Sequence, residues 1–344
     1  MIADPANLER FVGLRRRFLR QQRRAITLLL ALLVVGFLVT LSVGRSVTPP
    51  LDVIRVLLGE TVPGAGFTVG QLRLPRAVVS VLAGLCFGLG GASFQLMLRN
   101  PLASPDIIGV TSGAGAAAVV AIVVFSMRGP EVSIIAIAGG LTTAVLVYGL
   151  SLQNGASGTR LILVGIGVSA MLQSMIALVL QSSPAWNLQE ALRWLTGSVN
   201  GASLDQAVPL LVALILFGGL LLSRTRDLEA LRLGDEVAAS LGVRTGLTRV
   251  LVMLAAVALI ASATAATGPI AFVAFLSGPI AARILHNRGS LLPGAALAGA
   301  GLVLIADFIG QHGLPNRYPV GVVTGVLGAP YLVFLIVRAN RTGG

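Results

Sequence analysis

The chain has 344 residues, 55% of them apolar and only 11% charged, and its mean hydropathy of +0.91 lies outside the range of soluble domains. A net charge of +12 would suit a nucleic-acid partner if it covered one soluble face, but all 25 basic residues are arginines placed near the ends of apolar segments. Composition therefore excludes a soluble protein and predicts an all-α polytopic membrane protein.

Ten apolar segments are long enough to cross a membrane, at about 20 residues a span. They cover roughly 26–43, 76–97, 107–126, 132–151, 161–181, 207–223, 246–267, 270–285, 291–310 and 320–337. We expect one transmembrane domain over 26–338, after an arginine-rich N-terminus at 1–25 and before a short tail at 339–344. With the N-terminus inside, 18 arginines lie on the cytoplasmic side and seven outside, in line with the positive-inside rule. Both termini are therefore predicted in the cytoplasm.

The second span opens a motif-rich block, LRLPRAVVSVLAGLCFGLGGASFQLMLRNPLASPDIIGVTSGAGAA, over Leu72–Ala117. The glycine spacings Gly84-xxx-Gly88 and Gly109-xxx-Gly113 favour close helix packing in lipid. Pro101 ends the span, because proline cannot continue a helix. At its outer end, the side chains of Arg73 and Arg76 could either extend to lipid headgroups or contact an acidic partner.

The fifth span carries three polar residues that could line a translocation pathway, although hydrogen bonds between helices are an alternative role. They are Ser169, Gln173 and Ser174. The next segment, Gln189–Val199, is predicted to be a short interfacial helix with Trp186 and Trp194 at the level of the headgroups.

The stretch Arg224–Arg249 is the longest strongly charged run after residue 24, and apolar segments flank it. Gly234 interrupts its helical pattern, which predicts two short helices. Apolar residues recur in it at roughly helical spacing: Leu228, Leu231 and Leu233, then Val237, Ala238 and Leu241. The pattern alone fits either a loop resting on the bilayer or a docking surface for a soluble partner.

These motifs together resemble the FecCD/BtuC family, the permease subunits of type II bacterial ABC importers for iron chelates, haem and cobalamin. The resemblance is carried by LGDEVAASLGV at Leu233–Val243, by the Leu72–Ala117 block, by WLTGS at Trp194–Ser198 and by the C-terminal region. It covers the chain from about Thr68 to Arg338. Gly278-Pro279, with Ile280 where most members have histidine, looks like one subunit of the ferric-enterobactin (siderophore) permease pair.

The resemblance implies a BtuC-like fold in the bacterial cytoplasmic (inner) membrane and three protein partners. An ATP-binding ABC subunit is expected to dock on the coupling segment 224–249. The residues implied in that contact are Leu228, Leu231, Leu233, Gly234, Asp235, Ala238, Leu241 and Gly242. A periplasmic or lipid-anchored siderophore-binding protein is expected to contact Arg73 and Arg76, with Arg317 standing in for a family arginine that is Gln311 here. The third partner is a second homologous permease subunit, giving a heterodimer.

The residues predict no catalytic site, no metal site and no cofactor. A Walker A loop needs lysine, which this chain lacks, so ATP hydrolysis would belong to another subunit. His286 and His312 lie far apart, and Cys86 is the only cysteine. Asp307 is an acid near the outer end of a span, where such a residue can be functional, but we expect it to pair with Arg317 or to cap backbone groups.

The predicted function is a permease subunit for ferric siderophore import. The alternatives are a haem or cobalamin importer of the same mechanism and, from another class, an ion-coupled secondary transporter. The near absence of acids inside the spans disfavours the last of these.

Overall fold

The computed structural model describes residues 5–44, 46–151, 158–286 and 289–342, and this part of the chain contains fifteen α-helices and no strand. The first eight are α1 (Pro5–Ser42), α2 (Pro50–Leu57), α3 (Leu74–Leu98), α4 (Val110–Val123), α5 (Pro130–Ser151), α6 (Gly158–Gln181), α7 (Ala185–Thr196) and α8 (Leu204–Ala213). The remaining seven are α9 (Gly219–Ser223), α10 (Thr225–Leu231), α11 (Asp235–Ser240), α12 (Thr245–Thr267), α13 (Val273–Leu285), α14 (Leu291–Phe308) and α15 (Val320–Thr342). Residues 1–4 and 343–344 of the predicted termini, and Arg45, lie outside the described residues.

Seven described helices are long and apolar enough to cross a membrane, which confirms an all-α multi-pass membrane protein. They are Gly13–Ser42, Gly66–Leu98, Pro130–Ser151, Arg160–Gln181, Leu204–Ser223, Thr245–Thr267 and Leu291–Gly313. Three shorter apolar helices, Val110–Val123, Val273–Leu285 and Val320–Leu335, coincide with the third, eighth and tenth predicted spans. Between the first two predicted spans the chain is helical for much of its length, because it contains α2 and a π-helical segment, Gly66–Arg73, that runs directly into α3.

The centre of the bundle is α3, where glycines let neighbouring backbones approach closely. A Cβ atom at Gly84 would lie 2.5 Å from the Cα of Ala300 on α14, and one at Gly88 would overlap the Ala295 carbonyl. A Cβ at Gly91 would overlap the Ala274 carbonyl on α13. The predicted role of the Gly84-xxx-Gly88 spacing is therefore confirmed.

A proline inside α13 explains a buried contact between α13 and α3. Pro279 lacks the N–H group that would donate to the carbonyl of Phe275, four residues earlier. Gln95 on α3 supplies the missing donor, with its Nε2 atom 2.9 Å from that carbonyl oxygen. A Cβ at Gly278 would overlap Gln95 Oε1, so the glycine before the proline makes room for this side chain.

The helices differ sharply in how much of their surface the chain itself covers. In the most apolar 18-residue window, 78% of the α3 span is buried and 72% of α12, against 11% for α1 and for α6. The core is therefore built on α3 and α12, whereas α6 presents apolar side chains such as Leu163, Met171 and Leu178 to its surroundings.

Candidate functional site

The coupling segment folds as predicted, into two short helices separated by Gly234. Gly234 has a φ of +115° and Gly242, just after α11, has a φ of +86°, a region that L-residues rarely adopt. These glycines set where α11 begins and where the chain turns back towards α12. We call the end of the bundle that carries α10 and α11 the coupling end.

The apolar residues of this segment divide into an inward and an outward set. Leu228, Leu231 and Ala238 are fully buried in the main hydrophobic core. Leu233 and Leu241 are 65% and 64% exposed, and Val237 is also exposed. Three of the predicted docking residues are thus buried beneath the segment. The exposed apolar side chains in and next to α11 are Leu233, Val237 and Leu241, and Leu247, further along on α12, is 50% exposed. Val237 is missing from the predicted docking residues, and helical spacing does not group it with Leu233 and Leu241, because these two lie outside α11.

Asp235, the first residue of α11, is held by two arginines from different membrane-spanning helices. Arg99, which ends α3 in a left-handed conformation, donates from Nη2 to Asp235 Oδ1 over 2.9 Å. Arg249 on α12 donates from Nη2 to Oδ1 and Oδ2 over 2.8 and 2.9 Å. The start of α11 is therefore tied to the ends of α3 and α12.

Arg73 and Arg76 lie at the opposite end of α3, and both are engaged within the chain. Arg73 donates to the carbonyls of Leu41, Ser42 and Ser46 over 2.8, 3.0 and 2.8 Å, which satisfies carbonyl groups at the end of α1.

Arg76 forms a bidentate pair with Asp307 on α14, with Nε–Oδ2 of 2.7 Å and Nη2–Oδ1 of 2.5 Å. The two side chains are only 16% and 4% exposed. The expectation that Asp307 pairs with Arg317 or caps the backbone is wrong, because Arg76 takes both carboxylate oxygens. Arg317 is exposed and forms no ion pair with any residue that the structure describes.

The three polar residues predicted for the pathway lie on α6 but do not act as one cluster. Ser169 Oγ is buried, has no hydrogen-bond partner among the described residues and faces Gly109. Gln173 Nε2 lies 3.4 Å from Ser112 Oγ on α4, and the exposed Ser174 hydroxyl donates to a carbonyl of its own helix. A role in lining a pathway stays a prediction for these residues.

A cavity of about 820 Å³ lies at the end opposite the coupling end, between α5, α7, α8 and α12. Its lining includes Trp186, Arg193 and Trp194 of α7, the predicted interfacial helix, and none of the three polar α6 residues. Apolar side chains such as Ile134 and Ile137 form its wall on α5.

No group of three or more histidine, cysteine, aspartate or glutamate residues that could hold a metal ion occurs among the described residues. Asp106, in the turn between α3 and α4, accepts hydrogen bonds from the Ser104 and Thr111 hydroxyls over 3.1 and 2.9 Å. Burial raises the pKa of its carboxyl, and these two hydrogen bonds oppose the rise. The contacts of Asp106 are those of a residue that fixes the turn.

Comparison with known proteins gives a consistent result over nearly the whole chain. The model of the FecCD transport family matches residues 32–338. The ferric enterobactin transport system permease protein FepG of Escherichia coli (strain K12) is 37% identical over 318 residues, covering 91% of this chain and 96% of that protein. The achromobactin transport system permease protein CbrC of Dickeya dadantii (strain 3937) is 38% identical over 320 residues, covering 92% of each chain.

A solved structure described as a metal-chelate type ABC transporter in an inward-facing conformation has the same fold. It superposes with a TM-score of 0.80 at 28% sequence identity, covering 92% of this chain and 99% of the other.

Proposed function

This chain belongs to the FecCD transport family, and we propose that it is the permease subunit of an ABC importer that carries a ferric siderophore into the cytoplasm. The observation that carries the proposal is its similarity, over more than nine-tenths of its length, to permease proteins of the ferric enterobactin and achromobactin transport systems. The chain is a transport subunit, and ATP hydrolysis belongs to a separate ABC subunit.

The proposed location is the bacterial inner membrane, with both termini and the coupling end in the cytoplasm. The arginine asymmetry supports this orientation, because 18 of the 25 arginines then lie inside. The end that carries Arg73, Arg76 and Arg317 faces outward.

The ATPase subunit docks on the coupling segment through the exposed side chains of Leu233, Val237 and Leu241. Burial of these apolar side chains in a packed interface stabilises the complex, because each Å² of apolar surface removed from water contributes about 25 cal/mol of favourable free energy. The remaining implied residues shape this surface from within the chain. Leu228, Leu231 and Ala238 anchor the helices in the core, while Gly234, Asp235 and Gly242 fix their ends.

The siderophore-binding protein docks at the outward end, where Arg317 offers an exposed positive charge. Arg73 and Arg76 contribute to this surface by holding α1, α3 and α14 together, because Arg73 donates to carbonyls at the end of α1 and Arg76 pairs with Asp307 on α14. Opposite charge across the contact would steer association.

The exposed side of α6 faces the translocation pathway and a second homologous permease subunit, which gives a heterodimer. The support for this is the low burial of α6, together with the departure of Gly278-Pro279 from the residues that most members carry there. In this arrangement Gln173 and Ser174 face the pathway.

The test is uptake by proteoliposomes that hold the complete complex and its binding protein. We expect ATP-dependent accumulation of a ferric siderophore, with ferric enterobactin as the first probe, and no accumulation of haem or cobalamin. Uptake of haem or cobalamin in place of any siderophore would contradict the proposed substrate class. Uptake driven by an ion gradient without ATP would contradict the importer class.

A further inference from the structure

Asp235 joins the coupling segment to the buried centre of the bundle. In the part of the chain that the structure describes, every ion pair between this segment's two helices and a membrane-spanning helix ends on Asp235. The other described ion pair of the segment, Arg224–Asp227, is local. The carboxylate thus accepts from Arg99 at the end of α3 and from Arg249 on α12 at the same time.

The two helices that Asp235 contacts are those with the most buried spans. From α3 the connection continues to α13 through the Gln95 side chain, and to α14 through the close approach at Gly84 and Gly88. A displacement of Asp235 therefore acts on the helices that form the core, and not first on the peripheral α1 or α6.

The apolar contacts behind the segment cannot fix its direction of movement in the same way. Leu228, Leu231 and Ala238 are held by burial, which has no directional preference. The hydrogen bonds between a guanidinium and a carboxylate are charge-assisted and set the orientation of both groups. Because these side chains are 26% to 43% exposed, solvent screens the pairs and their contribution to folding stability is small.

We propose that Asp235 is the positioning residue that transmits movement of the ATPase-docked α11 to α3 and α12, and so couples ATP hydrolysis to opening of the pathway. Asp235 lies between Leu233 and Val237 in the sequence and is the first residue of α11, so a partner seated on those side chains moves the helix that carries the carboxylate. This inference rests on the proposed function, because it requires an ATPase on the coupling segment.

The experiment measures ATP hydrolysed per siderophore transported by the complete reconstituted complex. Asp235→Asn is expected to co-purify with the ATPase in normal amounts but to raise this ratio about fivefold, at the lower end of typical couplings between distant sites. Asp235→Glu keeps the charge and should recover most of the coupling. Arg99→Gln breaks one of the two connections and should raise the ratio less.

The matched control is Glu236→Gln, which removes the same charge from the next residue of α11. Glu236 is exposed and has no ion pair among the described residues, so its ratio should equal that of the unmodified complex. If Asp235→Asn does not fold, the inference is tested by Arg99→Gln alone, with the same measurement of ATP hydrolysed per siderophore transported.

Three results would overturn the inference. They are an unchanged ratio in both Asp235→Asn and Arg99→Gln, an equal increase in Glu236→Gln, and loss of ATPase binding in Asp235→Asn, which would make the residue part of the docking contact. An unmodified complex that hydrolyses ATP without taking up any siderophore would instead overturn the proposed function.

Discussion

The Gln95 side chain donates the hydrogen bond that the backbone of α13 cannot make at Pro279. Variants of Gln95 and Pro279 test this exchange of donors. Gln95→Leu leaves the Phe275 carbonyl buried without a partner, which should cost about 1–3 kcal/mol of stability. Pro279→Ala restores an N–H group that can donate to the same carbonyl. In the Pro279→Ala background we therefore expect Gln95→Leu to cost clearly less.

Thermal and denaturant unfolding in detergent of the unmodified chain, the two single variants and the double variant completes this double-mutant cycle. Gln71→Leu, in the π-helical segment that precedes α3, is the control: Gln71 is exposed, and its side chain makes no hydrogen bond among those described. An equal cost of Gln95→Leu in both backgrounds would contradict the assigned exchange of donors.

The sequence shows which individual residues are charged or polar, but it does not predict which distant residues they contact. Arg73 and Arg76 are recognisable as charges at the end of a span, but the carboxylate that binds Arg76 lies 231 positions away on α14. Gln95 lies 180 positions before the carbonyl that it satisfies. Only the packing of α3 against α13 and α14 brings these groups together, and no local pattern encodes it.

At the scale of single elements, an outward residue that caps α11 and an inward residue within it can be tested separately by substitution. Leu241→Asp introduces a charge on the exposed surface, so the isolated chain should keep its stability within about 0.5 kcal/mol. In the complex the charge would be desolvated without a partner, at a cost of several kcal/mol, and co-purification of the ATPase should fall. Ala238→Arg, in the core, should instead reduce folding of the chain itself.

Leu58→Asp is the control, since Leu58 is 76% exposed and follows α2, outside the coupling segment. Size-exclusion profiles report folding, and pull-down of the ATPase reports docking. Normal ATPase recovery and normal uptake with Leu241→Asp would show that this segment is a solvated linker.

The division of the coupling segment into two helices follows from Gly234, so the sequence predicts it correctly. The choice between Leu231, which is buried, and Leu233, which is exposed, does not follow from spacing. It depends on where α3 and α12 lie beneath the segment, and the pattern of leucines carries no information about those neighbours.

At the scale of the whole molecule, hydropathy predicts the helical spans because a buried backbone in lipid must satisfy its own hydrogen bonds. It does not predict which spans are central, since α3 and α6 are both apolar while their burial differs sevenfold, 78% against 11%. The glycines of α3 mark the central helix only once their contacts with α13 and α14 are known. The residues that line the pathway are harder still to predict from this sequence, because a second subunit completes the proposed pathway.

We propose that this chain is a conduit whose movement is driven by ATP hydrolysis in a separate subunit docked on α10 and α11. The most direct measurement compares ATPase activity and siderophore uptake for the purified chain with its permease partner alone and for the same proteins with the ABC subunit. We expect neither activity without the ABC subunit and both with it, because the chain has no lysine for a nucleotide-binding loop. ATP hydrolysis or concentrative uptake that persists after complete removal of the ABC subunit would contradict the account.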